Sequence, residues 1–391
     1  MTIKYEYITN LDSKYVFQNY TRQPLALIRG KGAIVWDTQD KEYIDCVAGI
    51  AVNNIGHCHP YVIEAVSRQV SELIHVSNLY YNQKQPELAA KLVQLTKMDR
   101  AFFCNSGTEA VEGAIKLARK ATGRTDFIAA ENGFHGRTMG ALSTTHKQQY
   151  RTPFEPLIKN VDFVPYNDIE ALKAVVNKNT AAVMLEPIQG EGGINIPDNK
   201  YLQAARDICD DSGALLIFDE IQTGFGRTGR WFAWEHSNVR PDIMTIAKAM
   251  AGGLPMGAIL AKEQTASKMQ KGEHGATFGG GPLLCAAALA VLKVIEDEDL
   301  IAKSANMGDY LTDKLNEIGS DNIKEIRSRG LMIGIELAIK CAPVVDYARA
   351  NGVLVNCTSD FVLRLVPPLV ITSKQIDRVA EVIEKGIQEA K

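Results

Sequence analysis

Six short apolar runs mark the middle of the chain: AFFCN (101–105), DFIAAE (126–131), AAVMLEP (181–187), ALLIFDE (214–220), IMTIAK (243–248) and GAILA (257–261). Near-continuous apolar runs of this length read as strands covered on both faces. Between several of them apolar residues recur at helical spacing, as in TEAVEGAIKLARKA and YLQAARDICDDSG. Strands alternating with helices predict an α/β domain on a mainly parallel sheet.

After about Gly281 the pattern changes. PLLCAAALAVLKVIEDEDL and MGDYLTDKLNEIG read as helices, followed by GLMIGIEL, VVDYARANG, FVLRLVPPL and KQIDRVAEVIEKGIQEA. That order predicts a smaller α+β domain. GAIVWDTQDKEYIDC reads as a hairpin turning at TQDK and joins it. The expected division is a large domain over 53–284 and a small one from 1–52 and 285–391. No internal repeat or low-complexity linker interrupts either.

Composition narrows the classes. The 391 residues are 46% hydrophobic and 23% charged, ordinary for a globular protein. A net charge of -3 and no basic block argue against a nucleic-acid partner. No run of roughly 18 apolar residues predicts a membrane span. The N-terminal MTIKYEYITNLDSKYVF lacks a signal-peptide core. Seven scattered cysteines with no C-x-x-C pair predict a reducing, cytosolic setting without a disulfide framework or zinc site.

In open α/β sheets ligands bind beyond the carboxyl ends of the strands, so the residues there carry the candidate chemistry. Ser106-Gly107-Thr108 follows the first run and opens a helix; it can be a capping box with Glu109 or an anion cradle. Gly133-Phe134-His135-Gly136-Arg137 follows the second, and Glu186 with QGEGG ends the third. The fourth ends at Asp219 and Glu220, then Ile221 and Gln222. The fifth ends at Lys248, which either snorkels or serves as a desolvated, reactive amine. A phosphate cradle, an amine and a carboxylate to pair with a ring nitrogen together suit pyridoxal 5'-phosphate. The close His57 and His59 of GHCHP suggest a metal site, but a turn before the helix YVIEAVSRQV is the reading preferred, with no metal expected.

The chain resembles the fold-type I pyridoxal-phosphate-dependent aminotransferases, in the subgroup acting on ω-amines. The resemblance rests on GHCHP (56–60), NSGTEA (105–110), GFHGRT (133–138), EPIQGEGG (186–193), FDEIQTGFGRTG (218–229), the Lys248 segment, ATFGG (276–280) and RLVPP (364–368). It implies an aspartate-aminotransferase-like fold with a sheet of the seven-stranded type. It also implies Lys248 as the cofactor-bearing amine and proton carrier, and Asp219 on the ring nitrogen. Gly107 and Thr108 would bind phosphate, Phe134 would stack on the ring, and Glu220, Ile221 and Gln222 would line it. Thr277 would reach the phosphate of a neighbouring subunit, making a homodimer. Arg137 would hold the substrate carboxylate, with Ala276 beside the substrate. Glu191 would mask Arg364 for an amine donor and release it for 2-oxoglutarate. AGIAVNNIGHCHP, with Gly49 leaving room for an acyl group, resembles the N-acetylornithine-specific enzymes. Val111, Ala276 and Gly281 depart from the usual pattern. Ornithine, 4-aminobutyrate or succinyl-diaminopimelate as donor, an aminomutase or epimerase, and a non-enzymatic regulator remain as alternatives.

Overall fold

The structure, a computed structural model, describes residues 4–390. Seven strands form the central sheet: β1 (Arg100–Cys104), β2 (Asp126–Ala130), β3 (Val161–Val164), β4 (Thr180–Leu185), β5 (Leu215–Asp219), β6 (Ile243–Ile246) and β7 (Gly257–Ala261). Their order is β1-β7-β6-β5-β4-β2-β3. The pairs β3/β2, β2/β4, β4/β5 and β5/β6 are parallel, while β7 is antiparallel to both β6 and β1. The carboxyl ends of the six like-directed strands therefore meet at one edge. Because β7 runs the other way, the segment before it, Gly253–Met256, lies at that edge too.

The predicted runs form strands because both sheet faces are covered. Side chains alternate along a strand. Ala182, Met184 and Ile217 join the core that includes Ala110 and Ala114 of helix Gly107–Thr122. Val183, Leu185, Leu216 and Phe218 face the other way, into the core holding Tyr201, Leu202 and Ala205 of helix Asn199–Ser212. The strand VDFV of β3 was not among the predicted runs.

A smaller α+β part completes the chain. The predicted hairpin pairs Ile34 with Ile44 and Trp36 with Glu42, and its sheet adds strands Leu27–Lys31 and Val353–Leu354. A second sheet holds β8 (Ile323–Arg329), β9 (Met332–Leu337), β10 (Asn356–Cys357) and β11 (Val362–Leu365), in the order β8-β9-β11-β10, all antiparallel. Helix Ser373–Glu389 starts at a capping box: Thr372 Oγ1 accepts from the Gln375 amide (3.3 Å), and Gln375 Oε1 accepts from the Thr372 amide (2.9 Å). Helix Pro282–Asp297 packs chiefly on helices Pro60–Glu72 and Lys84–Thr96, although the sequence pattern groups it with the smaller part.

One expectation is corrected. Cys341 and Cys357, 16 residues apart, are joined as a disulfide with Cα atoms 6.2 Å apart. Spacing could not show this, because the pair forms only when edge strand β10 meets the start of helix Ala342–Ala350. No helix among the described residues is long and apolar enough to cross a membrane. His57 and His59 each turn to a different carboxylate, Asp45 (2.8 Å) and Glu298 (2.9 Å).

Candidate active site

A cavity of about 480 Å³ opens at the carboxyl edge of the sheet. It is lined by Gly107, Thr108, Phe134, Arg137, Glu191, Asp219, Ile221, Gln222 and Lys248, so nine of the expected residues, from the carboxyl ends of five strands and the segments that follow them, meet there. Val52, Ile188, Leu254, Pro255 and Met256 add an apolar wall.

Lys248 begins a short 3₁₀ turn two residues beyond the end of β6, with φ at 45°. That left-handed conformation is costly for a residue with a side chain and is held by the packed turn around it. Burial pushes its amine below the ordinary lysine value; Glu191 opposes this, and the Arg364 guanidinium adds to it. Lys248 makes no ion pair among the described residues. The amine lies in the cavity wall.

Asp219, the last residue of β5, is buried. Its Oδ1 accepts from the Ile221 amide (3.1 Å) and its Oδ2 pairs with His135 Nδ1 (2.7 Å). Burial alone would keep His135 neutral, but the Asp219 carboxylate outweighs it and raises the imidazole. His135 lay in the quoted GFHGRT motif without a role. The polar spacing of the motif gave no sign that its ring reaches Asp219, 84 positions on.

Helix Gly107–Thr122 is capped by Ser106, whose Oγ accepts from the Glu109 amide (3.3 Å). The Glu109 carboxylate reaches past the cap to the Asn105 amide (2.9 Å), so the reciprocal half of a capping box is not made. Among the described residues the amides of Gly107 and Thr108 have no protein acceptor. They are free donors at a positive helix end. A Cβ on Gly107 would lie 2.8 Å from Ile221 Cδ1.

Arg137 has no ion-pair partner among the described residues. Its guanidinium lies over the ring of Tyr150, 3.6 Å from the centroid, and Tyr150 meets Phe134 edge-on at 6.4 Å. Tyr150 was not expected, and no motif marks it. Arg364, in β11, is fully buried. Its Nη1 donates to Glu191 Oε1 (2.5 Å) and Gln222 Oε1 (3.2 Å). Burial pushes the Glu191 carboxyl up, but Arg364 and Lys248 outweigh this and hold it below the ordinary glutamate value.

Three expected residues lie elsewhere. Glu220 points away from the cavity and accepts from the amides of Ala233 (2.9 Å) and Trp234 (2.7 Å). Ala276 and Thr277 line a separate hollow beside Glu109 and Glu112.

Residues 15–387 match the family described as aminotransferase class-III. The chain belongs to the class-III aminotransferases. The aminotransferase is 59% identical over 384 residues to acetylornithine aminotransferase of Methanosarcina acetivorans, covering 98% of this chain and 97% of that one. It superposes on the crystal structure of ornithine aminotransferase from Toxoplasma gondii with a TM-score of 0.95 at 36% identity, covering 99% and 95% of the two chains. It matches acetylornithine aminotransferase from Elizabethkingia anophelis with a TM-score of 0.88 at 34% identity, covering 99% and 100%. The aminotransferase uses pyridoxal phosphate, and its cavity fits that group: a desolvated amine, a buried carboxylate, and free amides where Gly107 leaves no room for a side chain.

Proposed function

We propose that this aminotransferase moves the δ-amino group of N-acetylornithine to 2-oxoglutarate, giving N-acetylglutamate semialdehyde and glutamate in arginine biosynthesis. The observation carrying this reading is the buried Arg364 capped by Glu191 at 2.5 Å. A buried guanidinium stripped of its carboxylate costs several kcal/mol unless another anion replaces it. An ω-amine donor brings no carboxylate beside its reacting carbon, so Glu191 stays on Arg364. 2-Oxoglutarate brings one, and Glu191 can yield. The acetylornithine aminotransferase name of the relative at 59% identity supports the acylated donor. Ornithine is the competing donor, favoured by the name of the neighbour at 36%.

Pyridoxal phosphate, when bound, supplies an electron sink for the substrate carbon that loses a proton. Lys248 Nζ would hold the cofactor and, displaced by the donor, would carry that proton. Asp219, oriented by His135, presents a fixed anion for the ring nitrogen. Gly107 and Thr108 amides would take the phosphate, Phe134 would cover the ring, and Ile221 and Gln222 would border it. Arg137 would hold the carboxylate remote from the donor amine.

The reading includes a homodimer in which Thr277 serves the partner's cavity, and a division into a cofactor-binding part, 53–284, and a smaller part, 1–52 with 285–391. It places the protein in the cytosol, where most cysteines remain thiols; the Cys341–Cys357 link is the exception.

Borohydride treatment of the cofactor-loaded protein, followed by peptide mapping, is expected to leave a pyridoxyl group on Lys248. N-Acetylornithine alone should bleach the visible absorption band, and 2-oxoglutarate should restore it. Bleaching by ornithine but not N-acetylornithine overturns the donor; an unlabelled Lys248 overturns the site.

A further inference from the structure

Arg364 has a third contact that the masking pair does not explain. In the antiparallel register of β10 and β11, Asn356 stands directly opposite Arg364. Directly opposed residues project on the same face. Asn356 Oδ1 accepts from Arg364 Nε at 3.3 Å. With Nε engaged there and Nη1 on Glu191, Nη2 is buried with no hydrogen-bond partner among the described residues. Glu191 and Gln222, both of the cavity wall, meet Nη1, so that end of the guanidinium faces the site. When Glu191 leaves, Gln222 and Asn356 are the hydrogen-bond partners that remain among the described residues.

The strand that carries Asn356 is itself weakly anchored. β10 has two residues and lies at the edge of its sheet. Cys357, the next residue, is half-buried and bonded to Cys341 at the N-terminus of helix Ala342–Ala350. The Cα separation of 6.2 Å is within the range that a disulfide spans. The link ties the edge strand to a buried helix start one residue from the arginine's partner.

We propose that Asn356 is a positioning residue for the acceptor substrate. It holds Arg364 Nε so that the Nη1–Nη2 end stays open to a carboxylate, and the Cys341–Cys357 disulfide pins the strand that carries it. The acceptor half of the reaction is thereby sensitive to thiols. Reduction by dithiothreitol breaks the S–S bond and delivers two electrons and two protons, leaving two cysteine thiols; the reductant departs as its cyclic disulfide. An arginine whose plane is fixed can take a carboxylate through two parallel hydrogen bonds, and one free to rotate loses that fork.

This inference rests on the Glu191–Arg364 reading above, and its test separates the two. The probes are glutarate, a dicarboxylate with no reacting carbonyl, and pentanoate, which lacks one carboxylate. Each is titrated calorimetrically into cofactor-loaded enzyme. Asn356→Ala is expected to weaken glutarate about tenfold, the scale of a hydrogen bond to a charged group, and to leave pentanoate unchanged. Dithiothreitol, or Cys357→Ser without reductant, should weaken glutarate in the same direction. Neither should add to the loss already present in Asn356→Ala, because coupled groups are not additive. Asn356→Ser, which keeps an oxygen acceptor, should recover part of the affinity. Wild-type glutarate affinity in Asn356→Ala, or an equal loss for both probes, overturns the positioning role. A thiol effect that is absent, or undiminished in Asn356→Ala, overturns the link. If Arg364→Ala itself binds glutarate normally, the fault lies with the masked-arginine reading instead.

Discussion

The Glu220 carboxyl accepts from the amides of Ala233 and Trp234 and from the Thr223 hydroxyl, and has no ion-pair partner among the described residues. Burial pushes it up to about 7, while these donors pull the other way. Asp219, one residue earlier, is also buried but has His135 beside it. Neighbouring acids at one strand end thus have opposite fates, one aimed at the cavity and one folding the loop that follows. A folded value above the ordinary 4.5 means that the native state binds the proton more tightly than the unfolded chain. Glu220 therefore contributes stability below about pH 4.5 that is lost as pH rises through about 7. Glu220→Gln, which does not titrate, should destabilise most at low pH. Its deficit should narrow by up to about 3 kcal/mol across that interval, read from urea unfolding of both proteins. A deficit that widens with pH would mean that the native carboxyl is ionised throughout. The sequence could place both acids at the strand end but not orient them, because orientation is set by the amides at 233 and 234, which lie beyond the following turn.

The turn after β2 shows how an element fixes the cavity. Gly136 has φ at 131°, and a Cβ there would stand 2.5 Å from Thr108 Oγ1. The Thr108 hydroxyl bonds Thr138 Oγ1 at 2.7 Å, stitching the turn to the helix start that would hold phosphate. Gly136→Ala should cost about 1–3 kcal/mol in backbone strain and push Thr108 out of place. We expect a lower melting temperature and a cofactor affinity reduced by tenfold or more by equilibrium dialysis. A lower melting temperature with unchanged affinity would remove Thr108 from the cradle. Strands of this sheet were legible where both faces are buried, as in β4, whose six residues are all buried. β3 was not, since it is an edge strand with Asp162 exposed and only Val164 buried, so it lacks the continuous apolar run. IMTIAK overran its strand by two residues, because the left-handed Lys248 ends the extended backbone and no apolar pattern encodes that turn.

The chain as a whole leaves an exposed aromatic surface. Leu79, Tyr80 and Tyr81 are 84%, 67% and 105% exposed, and Phe278 is 61% exposed. The two segments are joined by Asn78, whose Nδ2 donates to Gly279 O at 2.9 Å. Contiguous exposed apolar side chains of this kind mark an interaction surface. No sequence pattern marks LYY as a surface; its place outside the packed layers makes it one. Thr277 lies exposed on the same ground and does not line its own chain's cavity. A second copy seated there would cover the aromatic patch and receive Thr277 at its phosphate cradle, completing each cavity with a hydroxyl from the other chain. Two substitutions divide these roles. Tyr81→Asp puts a charge into the covered patch and should yield monomers by light scattering, with cofactor affinity falling alongside. Thr277→Ala should keep the dimer and weaken the cofactor about tenfold, the scale of one lost hydrogen bond to a charged group. A Tyr81→Asp monomer that binds the cofactor as tightly as the parent would show that each cavity is complete within one chain, and Thr277 would lose its role.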